Sequence, residues 1–222
     1  MNLFSDLGDL LSGGKLEAQT EPLPYGAPLA PLEQSSSRTL AIQERAISFT
    51  GEDFNVYDEN NQLYAKVSGA MLHLPGKDQM KIQIGGATAV VLDRKLVAMT
   101  PTYDILRGNG EKIGWIEKAT IALTDTFDVY LEGSGVGPFK APPMFKVEGD
   151  FLDRRFVFKN GKGQVVAKVT MDQLIELDAF NHYQVQIAPG MDAALVIACA
   201  CAVDEEFDEE HKKRREAREK KQ

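Results

Sequence analysis

One unit of sequence is written more than once in this chain. Residues 54–68 read FNVYDENNQLYAKVS and residues 156–170 read FVFKNGKGQVVAKVT, and the two align without a gap. Phe54 falls on Phe156, Val56 on Phe158, Gln62 on Gln164, and Ala65-Lys66-Val67 on Ala167-Lys168-Val169. A weaker copy runs from Tyr103 through the turn Gly108-Asn109-Gly110 to Ile113-Gly114-Trp115-Ile116. Each copy is an alternating apolar stretch, a polar Asn/Gly turn and a second apolar stretch, the signature of a β-hairpin. A chain that repeats hairpins builds a sheet or barrel rather than an α/β catalytic core.

The same pattern extends from Leu40 to Ile187. It predicts strands near 42–49, 54–58, 63–68, 80–84, 88–93, 95–99, 103–107, 113–118, 126–131, 144–148, 155–159, 164–170 and 182–188. Asn60-Asn61, Pro75-Gly76, Gly85-Gly86, Gly108-Asn109-Gly110, Gly133 to Pro138 and Gly161 to Gly163 supply the turns. Asn60 and Asn61 stand where the other copies carry glycine, and Asn tolerates positive φ. About a dozen evenly spaced strands favour a closed antiparallel β-barrel, because closure removes exposed edges.

The character then changes. Pro189-Gly190 breaks the last strand, and Asp192 is placed to cap a helix or supply its first-turn acid. The run AALVIACACAV from Ala193 is apolar on every side, so a helix made of it must be buried all round. The barrel interior is the one place that can bury it, and its alanines let it fit there. The fold class is therefore mainly β, a barrel of about twelve strands around a buried hydrophobic C-terminal helix from about residue 190. After Val203 the helix is expected to emerge. Acids precede bases at i,i+4 as Asp208–Lys212, Glu209–Lys213 and Glu210–Arg214, the favourable order on a solvated helix. Three domains of character follow: a flexible extension at 1–37, the barrel at 38–204 and a charged helical tail at 205–222.

In the first 37 residues, Leu3, Phe4, Leu7, Leu10 and Leu11 fall on one helical face that could dock on the barrel, a partner or a membrane surface. The Pro- and Ser-rich segment from Glu21 to Ser37 offers nothing to build a packed element of its own. A formal net charge of −8 argues against a general nucleic-acid binder. The two cysteines, Cys199 and Cys201, sit two apart in the apolar run and face different sides of a helix, so they read as reduced core residues. Reduced cysteines and a start without a secretory or transit pattern point to an intracellular, cytoplasmic protein, with peripheral membrane association as the alternative. The longest apolar run is about half of what a bilayer-spanning helix needs.

Several segments together resemble the LURP-one-related family, which shares the Tubby C-terminal-like fold with phospholipid scramblases. They are Pro101-Thr102-Tyr103-Asp104-Ile105, Val147-Glu148-Gly149-Asp150-Phe151 with Arg155-Phe156, the hairpin ending in Ala167-Lys168-Val169, Tyr183-Gln184-Val185-Gln186-Ile187, and Pro189-Gly190-Met191-Asp192 leading to Asp204. The resemblance covers about residues 40–204 and implies a twelve-stranded barrel around a C-terminal helix. It also brings phosphoinositide and phospholipid binding into view, as in Tubby proteins and scramblases.

No constellation in the sequence specifies a reaction. Histidines 73, 182 and 211 lack the spacing of a zinc site or proton relay. Gly108-Asn109-Gly110 and Gly161-Lys162-Gly163 join strands, whereas phosphate loops open helices. Asp58-x-Asn60-x-Gln62 begins like an EF-hand loop but lacks its glycine and its final glutamate. Glu148, Asp150 and Asp153 read as a solvated turn. No catalytic residue, metal or cofactor is expected. Arg154, Arg155, Lys159 and Lys162, preceded by Lys140 and Lys146, concentrate positive charge around one hairpin and could hold a phosphorylated head group. The tail bases, with Lys212, Lys213, Arg214 and Arg215 at their centre, could bind an anionic membrane, RNA or a receptor, or form a self-neutralised helix. The leading expectation is a non-enzymatic binding or scaffold protein. It engages a protein partner or larger assembly through Leu3, Phe4, Leu7 and Lys212 to Arg215. The alternative is a peripheral adaptor for anionic phospholipid.

Overall fold

The computed structural model describes residues 14–44, 53–69, 79–119, 126–135, 137–151, 153–171 and 182–219. Twelve strands form one closed antiparallel barrel. They are β1 (Arg38–Glu44), β2 (Phe54–Tyr57), β3 (Leu63–Ser68), β4 (Gln79–Ile84), β5 (Ala87–Arg94), β6 (Thr102–Arg107), β7 (Lys112–Lys118), β8 (Thr126–Leu131), β9 (Phe145–Asp150), β10 (Arg155–Asn160), β11 (Val165–Thr170) and β12 (His182–Ile187), followed by helix α1 (Ala193–Glu219). Every strand pairs with its sequence neighbours, and β1 closes on β12 with Leu40 opposite Val185 and Ile42 opposite Tyr183. The predicted strand at 95–99 is not one. Leu96, Val97, Ala98 and Met99 belong to the loop between β5 and β6, where apolar residues are exposed and have no ladder position.

The repeated hairpins are β2–β3, β6–β7 and β10–β11, and they share one turn geometry. Asp58 N–H donates to Gln62 O, Arg107 N–H to Glu111 O and Asn160 N–H to Gln164 O. The residue before each acceptor, Asn61, Gly110 or Gly163, has positive φ. Each ladder then slips by one residue beside the turn, between Val56/Tyr57, Ile105/Leu106 and Phe158/Lys159. A left-handed residue followed by a bulge is the common way to close a longer hairpin. Asn61 fills that position at φ 57°, as its tolerance of positive φ allows. The two Gly-rich stretches are hairpin turns.

Alternation sends one face of each strand inward, where Leu40, Val56, Ile82, Leu92, Ile105, Ile116, Val129, Val147, Phe158, Val185 and their neighbours are buried. Against them lies α1, whose residues Ala193 to Val203 are all buried. Ala194, Ala198, Ala200 and Ala202 show no exposed surface, which leaves room for the inward side chains of the strands around them. Cys199 and Cys201 are free and buried, and burial raises the pKa of both thiols. The helix emerges later than expected, with Phe207 still buried. Phe207 stacks on Phe151 at 5.0 Å and meets Phe127 edge-on at 6.2 Å, closing that end of the core.

The opposite end is closed by residues 14–37. As the Pro/Ser composition implies, this segment has no strand or helix, yet from residue 14 on it lies against the barrel rather than hanging free. Backbone groups hold it: Glu17 N–H donates to Val165 O, Gln19 N–H to Pro189 O, and Gly190 N–H to Glu33 O. Ala30 is buried, and Leu16, Tyr25 and Leu29 lie against the core. Its anchor is Asp192. One carboxylate oxygen accepts from Ala194 N–H at 3.1 Å, capping the helix; the other accepts from Leu29 N–H at 2.6 Å and the Tyr25 hydroxyl at 3.2 Å. Arg107 donates to Tyr25 O. Gly190 sits at φ 77°, and a Cβ there would come 1.9 Å from Gln19 O, so glycine alone lets the segment approach.

Candidate functional site

The helix leaves the barrel through a collar of charge. Asp204 and Glu206 are buried on its last enclosed turn, and buried carboxylates need partners. Arg154 donates to Asp204 at 2.6 Å and lies over the Tyr183 ring at 5.5 Å. On the facing wall Arg94 meets Glu206 at 3.3 Å and Glu205 at 3.9 Å, and lies over Tyr103 at 5.7 Å. Lys118, at the end of β7, places its ammonium 5.1 Å from the centre of the Phe207 ring. Two arginines thus stack on tyrosines of the barrel wall while holding acids of the helix. Breaking one such half-buried pair costs on the order of 3 kcal/mol. Arg154 holds its place at φ 48°, an uncommon conformation for a residue with a Cβ, in the turn whose Arg154 N–H donates to Phe151 O.

The four bases predicted as a head-group cluster do not meet. Arg154 and Arg155 stand at the helix-exit rim, where with Asp153 and Met171 they line an open depression of about 400 Å³. Lys159 is partway along β10 and pairs with Glu148 at 2.8 Å. Lys162 is in the hairpin at the far end, paired with Glu21 at 2.6 Å. A six-residue strand spans about 20 Å, which separates the two ends. Asp150 accepts from Asp153 N–H. Among the described residues no group of acids, histidines or cysteines could hold a metal ion. Leu3, Phe4, Leu7 and His73 lie outside the described residues. Lys212, Lys213, Arg214 and Arg215 lie on α1 beyond the barrel.

Sequence reading missed Arg94 and Lys118, whose signal was indirect: acids inside a helix that must be buried demand cations from strand ends. It also missed the outer wall, where Trp115 and Tyr130 stack at 5.2 Å. Lys140 pairs with Glu117 and covers Tyr130 at 4.8 Å, and Trp115 Nε1–H donates to Glu117. Burial and the Asp128 carboxylate push the Tyr130 hydroxyl pKa up to about 12. Around the helix exit the rim is also apolar, since Val97 and Met99 are fully exposed and Leu96 is 43% exposed. Among the described residues no helix is long and apolar enough to cross a membrane.

An X-ray structure of an Arabidopsis thaliana protein shares this fold, with a TM-score of 0.58 and 20% identity, covering 81% of this chain and 98% of that one. No curated protein matches the chain. The profile of the LURP-one-related family matches residues 38–204, which run from the first residue of β1 to the collar acid Asp204. With the barrel, the interior helix and most of the sequence inside that match, the chain belongs to the LURP-one-related family.

Proposed function

We propose that this protein is a non-enzymatic binding or scaffold module that engages a protein partner or assembly through its terminal segments, the charged arm of α1 above all. One observation carries the reading. The helix that forms the barrel core continues without a break from Ala193 to Glu219. The part beyond Phe207 extends about 18 Å at 1.5 Å per residue. A partner pulling on such an arm pulls on the core, which makes it a firm handle. The arm also lies beyond the family match, where individual function is expected. The barrel interior, where a substrate pocket would otherwise sit, is filled by helix residues. The test compares proteins purified from the native source, full-length and truncated after Phe207. A stoichiometric protein partner retained by the first and lost by the second, with equal thermal stability, supports the reading. Equal recovery of a partner by both, or recovery by neither, contradicts it.

A second reading, binding of anionic phospholipid, is favoured by the depression between Arg154 and Arg155 on a rim that also exposes Val97 and Met99. Arg155→Glu is the variant to compare, with its thermal stability measured alongside because Arg155 has contacts of its own within the fold, whereas changing Arg154 would strip Asp204 of its partner. Salt-sensitive flotation with phosphatidylserine vesicles, lowered about tenfold by Arg155→Glu, is the expected result for that reading.

A further inference from the structure

We propose that Trp115, Tyr130, Glu117 and Asp128 form a binding site on the outer wall of the barrel for a lysine side chain of a basic protein partner. In the free protein Lys140 of this chain fills that site. This goes beyond the reading of the arm, because the site lies on β7 and β8 and uses no residue of α1.

Strand alternation turns Trp115 and Glu117 outward on β7, while Ile116 between them is part of the core. The register sets Tyr130 beside Trp115 and Asp128 beside Glu117. Two aromatics and two acids are therefore neighbours on a face directed away from the core. Acids directly opposite each other on paired strands destabilise a sheet, so this pair calls for a cation. The Trp115 indole N–H donates to one Glu117 oxygen at 3.0 Å, and the Tyr130 hydroxyl donates to Asp128 at 3.2 Å. The other Glu117 oxygen takes the Lys140 ammonium, which lies 4.8 Å from the centre of the Tyr130 ring. A carboxylate on one side and an aromatic face on the other suit an ammonium drawn partly out of water. Burial, with Glu117 beside it, raises the Asp128 carboxyl pKa despite Lys146, the Tyr130 hydroxyl and Lys140 nearby, so negative charge here is short of counterions.

The origin of Lys140 marks it as a stand-in. Lys112, whose ammonium lies 5.3 Å from the Trp115 ring centre, belongs to β7 itself and bridges Asp104 at 3.1 Å and Glu132 at 3.0 Å. Lys140 instead comes from the β8–β9 connection, residues 132–144, whereas the other hairpins at that end turn in two to five residues. Connections this long in a compact domain usually carry function. Its neck is closed by Ala141 N–H donating to Ser134 O at 2.7 Å. Among the described residues beyond that neck, Lys140 alone makes an ion pair with the wall, and Phe139 beside it is 89% exposed. The loop can therefore give up its lysine without disturbing the strands, and Phe139 offers an incoming chain an apolar contact at the mouth of the site. A formal net charge of −8 steers basic partners toward the chain.

Trp115 is the only tryptophan of the chain, so its fluorescence reads the site directly. The probe is the peptide acetyl-Leu-Lys-Leu-amide, titrated to about 10 mM into the full chain and into its Lys140→Ala and Lys140→Gln variants. The same peptide with its lysine acetylated is the control. Expected is a saturable change in both variants, with binding about tenfold weaker in the parent, where tethered Lys140 competes at a high effective concentration. The acetylated peptide gives no change, and Glu117→Gln added to Lys140→Ala weakens binding about tenfold. Circular dichroism melts confirm that each variant is folded, and Lys140→Gln keeps a stem over Tyr130 should Lys140→Ala loosen the loop. No saturable change in either variant, equal binding by parent and variants, or an equal response to the acetylated peptide overturns the site and leaves Lys140 a pin for its loop. None of these outcomes touches the arm, which truncation after Phe207 tests separately.

Discussion

Ile197→Asp abolishes cooperative folding. Ile197 is among the largest side chains with no exposed surface, enclosed by barrel strands on the interior helix. The variant loses the apolar burial of isoleucine and strands a carboxylate in the apolar core. The expected cost is at least about 5 kcal/mol, against a total of about 5–15 for a domain of ordinary stability. Ile197→Val, which only deletes a methylene, is expected to cost about 1 kcal/mol and to retain a single sharp melting transition. Thermal melts followed by far-UV circular dichroism compare the two. A soluble Ile197→Asp protein melting within a few degrees of the parent would mean that the helix is not the core of the barrel.

The second large effect is expected at the other end. Asp192→Ala removes at once the cap on Ala194 N–H, the acceptor for Leu29 N–H and the acceptor for the Tyr25 hydroxyl. The result is a loss of about 3 kcal/mol, greater than for an exposed cap because the stranded donors are half-buried. Proteolysis within residues 14–37 should accelerate in parallel, since Asp192 is the main side-chain anchor of that segment. Burial raises the Asp192 carboxyl above its ordinary 3.8, while its hydrogen bonds to Leu29 and Tyr25 pull it down less strongly. A raised folded-state value means that the folded chain holds the proton more tightly than the unfolded one. This carboxyl's pH-linked contribution is therefore complete below 3.8 and is lost as pH rises through the raised value. In Asp192→Asn that dependence is absent, so the parent's advantage over the Asn variant should shrink as pH rises through this window. Urea titrations at several pH values measure it, and an advantage that instead grows with pH would contradict a raised value.

What could be read from the sequence was what local pattern encodes. The Asn/Gly turns at 58–62, 108–110 and 161–163 name their hairpins, and eleven apolar residues from Ala193 name a helix with nowhere to go but inside. The loop at 95–101 misled, because Leu96, Val97 and Met99 have strand-like composition without strand partners. The docking of residues 14–37 was hidden for a different reason. Its bonds run through backbone groups to Val165 O, Pro189 O and Asp192, and such bonds leave no periodic trace. Charge density near Arg154 suggested one basic patch, but an extended strand carries its two ends apart, leaving Arg154 at one rim and Lys162 at the other. The collar was out of reach because Arg94, Lys118 and Arg154 come from three distant strand ends. Only the closed barrel brings them around Asp204, Glu206 and Phe207.

Helix α1 is core for about half its length and arm for the rest. Amide hydrogen exchange along residues 193–219 tests this most directly. The stretch from Leu195 to Glu206 should exchange only through global unfolding, as slowly as the barrel strands, and the arm from Asp208 to Glu219 many-fold faster. Uniformly fast exchange across both stretches would contradict a helix seated in the barrel, and with it the anchored arm.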